Sequence, residues 1–127
     1  MLNYVLVGAG GALGSLARYA LGSQLTRALG PQWPYGTFAA NLLGGFGMGL
    51  LISYLAHRGG ADQERWRLLF GVGALGGFTT FSAFSLETAL MIERRQLIAA
   101  ASYAAASVGL AVVALFAGLL VARRVFA

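Results

Sequence analysis

Residues 76–85 read Gly-Gly-Phe-Thr-Thr-Phe-Ser-Ala-Phe-Ser, which gathers two glycines, four hydroxyls and three aromatic rings into ten positions of an otherwise apolar run. Phe81 and Phe84 stand three apart and share a helix face, while Ser82 and Ser85 form a polar row beside them. An aromatic ring is negative on its face and positive at its edge, so paired ring edges next to hydroxyls can meet an anion that has shed water. The glycine pair followed by Thr79 and Thr80 predicts a helix that stops and restarts. A restarted helix offers unpaired N–H groups at its positive end, and interrupted helices at membrane depth line cavities or bind ions.

Three further polar side chains lie inside apolar segments. Asn41 shares a face with Gly45 and Gly49, so its amide points to a packed neighbour, either as a plain inter-helix hydrogen bond or as a functional donor. Tyr103 and Ser107 are four apart and present their hydroxyls on one face, although a helical serine can also bond back to its own backbone.

The elements that must position these groups are membrane spans. The chain has 127 residues, 58% of them hydrophobic and 10% charged, and a mean hydropathy of +0.73, more apolar surface than a soluble domain of this size can bury. Four segments, approximately 2–21, 35–56, 68–92 and 97–122, each reach the roughly 20 residues needed for about 30 Å of hydrocarbon. The first lacks a basic flank and a small-residue cleavage site and reads as a retained helix. The expected fold is therefore a single all-α, four-helix transmembrane domain spanning 1–127, with its third helix broken mid-membrane. Gly10 and Gly14 in the first span, and Gly45 and Gly49 in the second, stand four apart, a spacing that brings helix backbones into close contact within or between chains.

Charge narrows the function. Every basic residue is an arginine, and the net charge of +5 is scattered singly or in pairs at span ends, which fits headgroups and topology and not nucleic acid. Arg58, Arg65, Arg67, Arg123 and Arg124 fall on one side, against Arg27, Arg94 and Arg95 on the other with Arg18 near that end. So small a bias lets a chain insert both ways. Cysteine is absent, His57 has no metal-ligating neighbour, and no nucleophile and base can be paired, so an enzyme is not expected. Four helices without an internal repeat cannot supply a symmetric site alone, which calls for a second copy.

Gly76-Gly77-x-Thr79-Thr80-Phe81-Ser82-x-Phe84, Gly36-Thr37-x-x-x-Asn41 and Gly11-x-x-x-x-x-x-Arg18-Tyr19 together resemble the signature segments of the Fluc (CrcB) fluoride channels, in order and across the whole chain. The resemblance implies a dual-topology, antiparallel homodimer, multi-pass in the inner (plasma) membrane, that exports fluoride passively through two pores. It implies a structural sodium ion at the dimer interface, held by the backbone carbonyls of Gly76 and Thr79. The pore residues that it implies are Asn41, Phe81, Phe84, Thr80, Ser82, Ser85, Tyr103 and Ser107. Arg18, Glu87 and Thr88 map to a vestibule or pore mouth, Arg18 being equally suited to snorkel from a helix end.

Ala83 stands where this family often has threonine, and Phe38, Ala39 and Ala40 precede Asn41 where a larger branched residue is common. A competing reading is a four-span proton-coupled multidrug exporter, which needs an embedded carboxylate. Glu87 is the one intramembrane acid and lies past the break, nearer the interface. Trp33 and Trp66 sit at span ends and read as interfacial anchors. A non-transporting accessory subunit would explain the glycines but not the clustered hydroxyls.

Overall fold

The computed structural model describes residues 1–58 and 60–126 and is all-helical over them, with four helical stretches long and apolar enough to cross a membrane. Helix α1 is Leu2–Leu29, α2 is Tyr35–Arg58, α3 is Gln63–Trp66, α4 is Gly76–Phe78, α5 is Phe81–Glu93 and α6 is Leu97–Phe126. Arg67–Leu75, between α3 and α4, is wound as a π-helix. The helices outrun the expected spans: α1 continues past Leu21 to Leu29, and α6 past Ala122 to Phe126. The added turns carry Thr26 and Arg27 at one end and Arg123 and Arg124 at the other, since backbone hydrogen bonding does not stop where the apolar residues do.

Punctuation residues set the ends. Gly30 closes α1 with φ 91°, a left-handed angle costly for residues with a Cβ, while its N–H donates to the Thr26 carbonyl at 2.9 Å. Arg95 takes φ 60° in the turn between α5 and α6, where Gln96 N–H reaches back to the Met91 carbonyl at 2.9 Å. Along α3, Glu64 pairs at 2.6 Å on the exposed surface with Arg67, the first residue past that helix.

Two glycine seams hold the bundle together. Any Cβ on Gly10 or Gly14 would strike the backbone of Leu69 or Ala74, and one on Gly77 would strike that of Gly11, so α1 rests backbone to backbone on the π-helical segment and α4. Gly45 and Gly49 of α2 meet Ala111 and Leu115 of α6 in the same way, and Gly118 of α6 returns the contact to Phe46. These are the glycine pairs expected to pack closely, and both seams lie within one chain. Such approach maximises dispersion contact where lipid leaves no hydrophobic drive between helices. The wide π turns accompany the first seam, with Gly71 and Gly73 buried in them; nothing in the sequence pattern announced them.

Between α4 and α5 the chain leaves the helix for two residues. Thr79 (φ −85°, ψ 158°) and Thr80 (φ −153°, ψ 125°) are extended. Thr80 then caps α5, its Oγ1 accepting from Ala83 N–H at 3.2 Å, an N-cap bond worth about 1 kcal/mol.

Candidate ion pathway

The two extended threonines are seated on α2. Thr79 lies with its Cγ2 methyl against Gly44, where any Cβ would collide with it. One turn earlier, Asn41 engages the backbone of Thr80 at both ends: its Oδ1 accepts from the Thr80 N–H at 3.0 Å, and its Nδ2 donates to the Thr80 carbonyl at 3.4 Å. Asn41 thus does meet a packed neighbour, and that neighbour is the interruption itself. On the far side, Arg18 Nε donates to the Gly77 carbonyl at 3.4 Å, so α1 also reaches this point.

A cavity of about 410 Å³ opens beside the interruption, lined by Asn41, Thr79, Thr80, Phe81, Phe84 and Ser107 among apolar neighbours, and no charged residue contributes to its wall. The Phe81 and Phe84 ring centroids are 5.7 Å apart and tilted by 43°. Phe81 is 76% exposed in the single chain. Ser107 is 5% exposed, and its hydroxyl makes no hydrogen bond of good geometry among the described residues, although it lies near enough to the Tyr103 hydroxyl to interact with it. A buried hydroxyl without a partner costs stability; Ser53 Oγ is left in the same state, but of the two only Ser107 belongs to a residue in the wall of this cavity.

A second cavity, of about 680 Å³, is lined by Arg18, Arg27, Thr37, Glu87 and Arg94 among others. Glu87 is held there by hydroxyls from two other helices: Thr37 Oγ1 donates to its Oε1 at 2.6 Å, and the fully buried Tyr103 donates to its Oε2 at 3.2 Å. Tyr103 also packs against Phe84, with centroids 5.2 Å apart, and against Trp33 edge-on at 5.1 Å. The Phe84–Tyr103 contact therefore stands between an uncharged chamber and a charged one.

The remaining residues singled out from the sequence are spread more widely. Ser82 and Ser85 are exposed on α5, with Ser82 Oγ 3.3 Å from Thr80 Oγ1. Thr88 donates to the Phe84 carbonyl at 2.8 Å, so its hydroxyl is spent on its own helix, and it lines neither cavity. Tyr103 and Ser107 share a buried face, as their spacing predicts. Thr37, quoted above only as part of a signature segment, and Gly44 join the site through the fold. The four-residue step from Thr37 to Asn41 and the three-residue step from Asn41 to Gly44 were the signal, since both place their residues on one face of α2. The Gly76 and Thr79 carbonyls accept no hydrogen bond among the described residues, as expected for the end of a helix whose next turn is missing.

Residues 5–119 match the family described as CrcB-like protein, Camphor Resistance (CrcB). The chain is 74% identical over 127 residues, all of both chains, to a protein of Phenylobacterium zucineum (strain HLK1) named fluoride-specific ion channel FluC. It is 64% identical over 126 residues, 99% of this chain and 98% of the other, to a protein of the same name from Caulobacter sp. (strain K31). Fluoride-specific ion channel FluC 2 of Nitrobacter hamburgensis (strain DSM 10229 / NCIMB 13809 / X14) is 53% identical over 97% of this chain and 98% of its own. Relatives covered from end to end at this identity, together with a family match over most of the chain, establish that the protein belongs to the CrcB family.

Proposed function

We propose that the chain is a fluoride-selective channel that works as an antiparallel, dual-topology homodimer with two pores and exports fluoride passively. The observation that carries this reading is the uncharged chamber beside the interruption, whose wall includes the Phe81 and Phe84 rings together with Asn41 and Ser107. Fluoride holds its water tightly. A path selective for it must replace that water with many neutral donors while avoiding a fixed positive charge strong enough to trap the ion. The charged chamber with Arg18, Arg27 and Arg94 then serves as the vestibule that gathers anions, and Tyr103 and Ser107 line the way inward.

The second copy of the chain supplies what one copy leaves open. Phe81 stands largely uncovered beside the chamber, and a partner placed there would close the wall. The interruption, set at mid-membrane depth, would bring the Gly76 and Thr79 carbonyls of both chains together. Carbonyls free of hydrogen bonds are the donor set a hard cation takes, and two per chain make four for a structural sodium ion on the dimer axis. Such an ion would supply fixed charge and cross-linking; the chain's own part is to present the oxygens.

The exporter reading fares worse. Glu87 shares its cavity with three arginines and is already engaged by two hydroxyls, a setting that disfavours a cationic substrate. The test is reconstitution into liposomes loaded with fluoride or chloride. Fast fluoride efflux with negligible chloride efflux is expected, whereas substrate-dependent proton movement without fluoride flux would overturn the channel reading.

A further inference from the structure

Asn41 holds one residue of the interruption by both its backbone groups, as a neighbouring strand would. Its Oδ1 takes the Thr80 N–H at 3.0 Å and its Nδ2 meets the Thr80 carbonyl at 3.4 Å. The geometry of the adjoining peptide gives that clamp a second effect. No peptide bond in the chain is cis, and in a planar trans peptide the C=O and N–H point in opposite directions. The Thr79 carbonyl and the Thr80 N–H belong to the same peptide. With the N–H drawn toward Asn41 on α2, the Thr79 oxygen is turned away from α2. That oxygen accepts no hydrogen bond among the described residues.

Two other contacts keep the plane from turning. The Thr79 methyl is seated over Gly44, one turn along α2 from Asn41, which fixes the residue on one side of the peptide. The Thr80 side chain is committed to capping α5 through Ala83 N–H, which fixes the other. An isolated extended pair of residues could flip this peptide at little cost, because a concerted change in ψ of one residue and φ of the next leaves the flanking chain in place. Asn41 Oδ1 is the only group on α2 that hydrogen-bonds to this peptide among the described residues, while its Nδ2 holds the carbonyl of the next one.

We infer that Asn41 is a positioning residue for the cation site, pinning the Thr79–Thr80 peptide so that the Thr79 carbonyl faces away from its own α2 and toward the proposed sodium ion. The inference rests on the sodium reading given above. It assigns to Asn41 a task distinct from donating to fluoride, since its Oδ1 and one of its N–H groups are engaged with backbone.

Two measurements on the reconstituted full-length protein test it. In hydrogen exchange, the Thr80 amide should be protected in the wild type, and Asn41→Ala should speed its exchange at least tenfold. Unchanged exchange in Asn41→Ala would overturn the clamp. In thermal unfolding followed against NaCl, with N-methylglucamine chloride holding ionic strength constant, a ligand that binds only the folded state raises the midpoint. The sodium concentration giving half of that rise should increase at least tenfold in Asn41→Ala. No sodium response in the wild type would sink the sodium reading itself. A wild-type response that Asn41→Ala leaves unshifted would sink only the coupling. If Asn41→Ala does not assemble, replacing the Thr80 amide by an ester, which deletes the N–H alone, should give the same shift in sodium dependence, and an unshifted ester variant would count against the inference.

Discussion

Ser107 shows how one side chain can cost stability and still be retained. Its hydroxyl is buried without a hydrogen bond of good geometry, so Ser107→Ala should leave thermal stability unchanged or raise it by about 1 kcal/mol, while lowering fluoride flux in liposomes. Equal flux in this variant would remove Ser107 from the pathway. The phenylalanines make the complementary case. A Phe81→Ile or Phe84→Ile exchange keeps an apolar group of similar size and should cost less than about 1.5 kcal/mol, yet it deletes the ring edge and should cut flux at least tenfold. Phe116, exposed on α6 away from the hydroxyls, should tolerate isoleucine in the same efflux assay. The aromatic pair and the buried hydroxyl face were legible in the sequence because helical spacing alone sets which residues align. The Thr37–Glu87–Tyr103 set was not, because its members come from α2, α5 and α6 and are joined only by the packing of those helices.

At the level of elements, the glycine seams explain why so apolar a chain adopts one arrangement. Gly14→Ala would drive a methyl into the Ala74 carbonyl, and Gly49→Ala into that of Leu115. Each should destabilise by about 1–3 kcal/mol or more, because the obstruction is backbone and cannot rotate aside. Gly109 has nothing within 4 Å of its virtual Cβ, so Gly109→Ala should be neutral or stabilising by about 0.5–1 kcal/mol through helix propensity. Unfolding midpoints of the three variants in one detergent would check the contrast. The four-residue glycine spacing made these seams readable in advance. The π-helical turns were not readable, since their period arises where α1 and its neighbour lie backbone to backbone and leaves no mark in the order of apolar residues.

For the molecule as a whole, the weak arginine asymmetry and the open flank beside Phe81 bear on the same question of how copies meet. If copies insert in both orientations, a cysteine placed at either terminus should be labelled by an impermeant reagent in about half of the population from each side of the membrane. Labelling from one side only would rule out the antiparallel pair. The absence of native cysteine makes this a clean measurement.

The order of the seams along the chain has a consequence for biosynthesis. The tightest partner of α1 is the π-helical segment with α4, and that of α2 is α6, so the pairings interleave. In a nascent chain emerging from the ribosome α1 and α2 can meet where Gly36 approaches Gly22, but the longer seam of α1 forms only when the third hydrophobic stretch has been made. Until α6 follows, the packing face of α2, with Gly45 and Gly49, has no cover but lipid or another protein. The chain therefore commits its last helix before its second can settle, and the interval between them is when an insertase or a chaperone has most to shield.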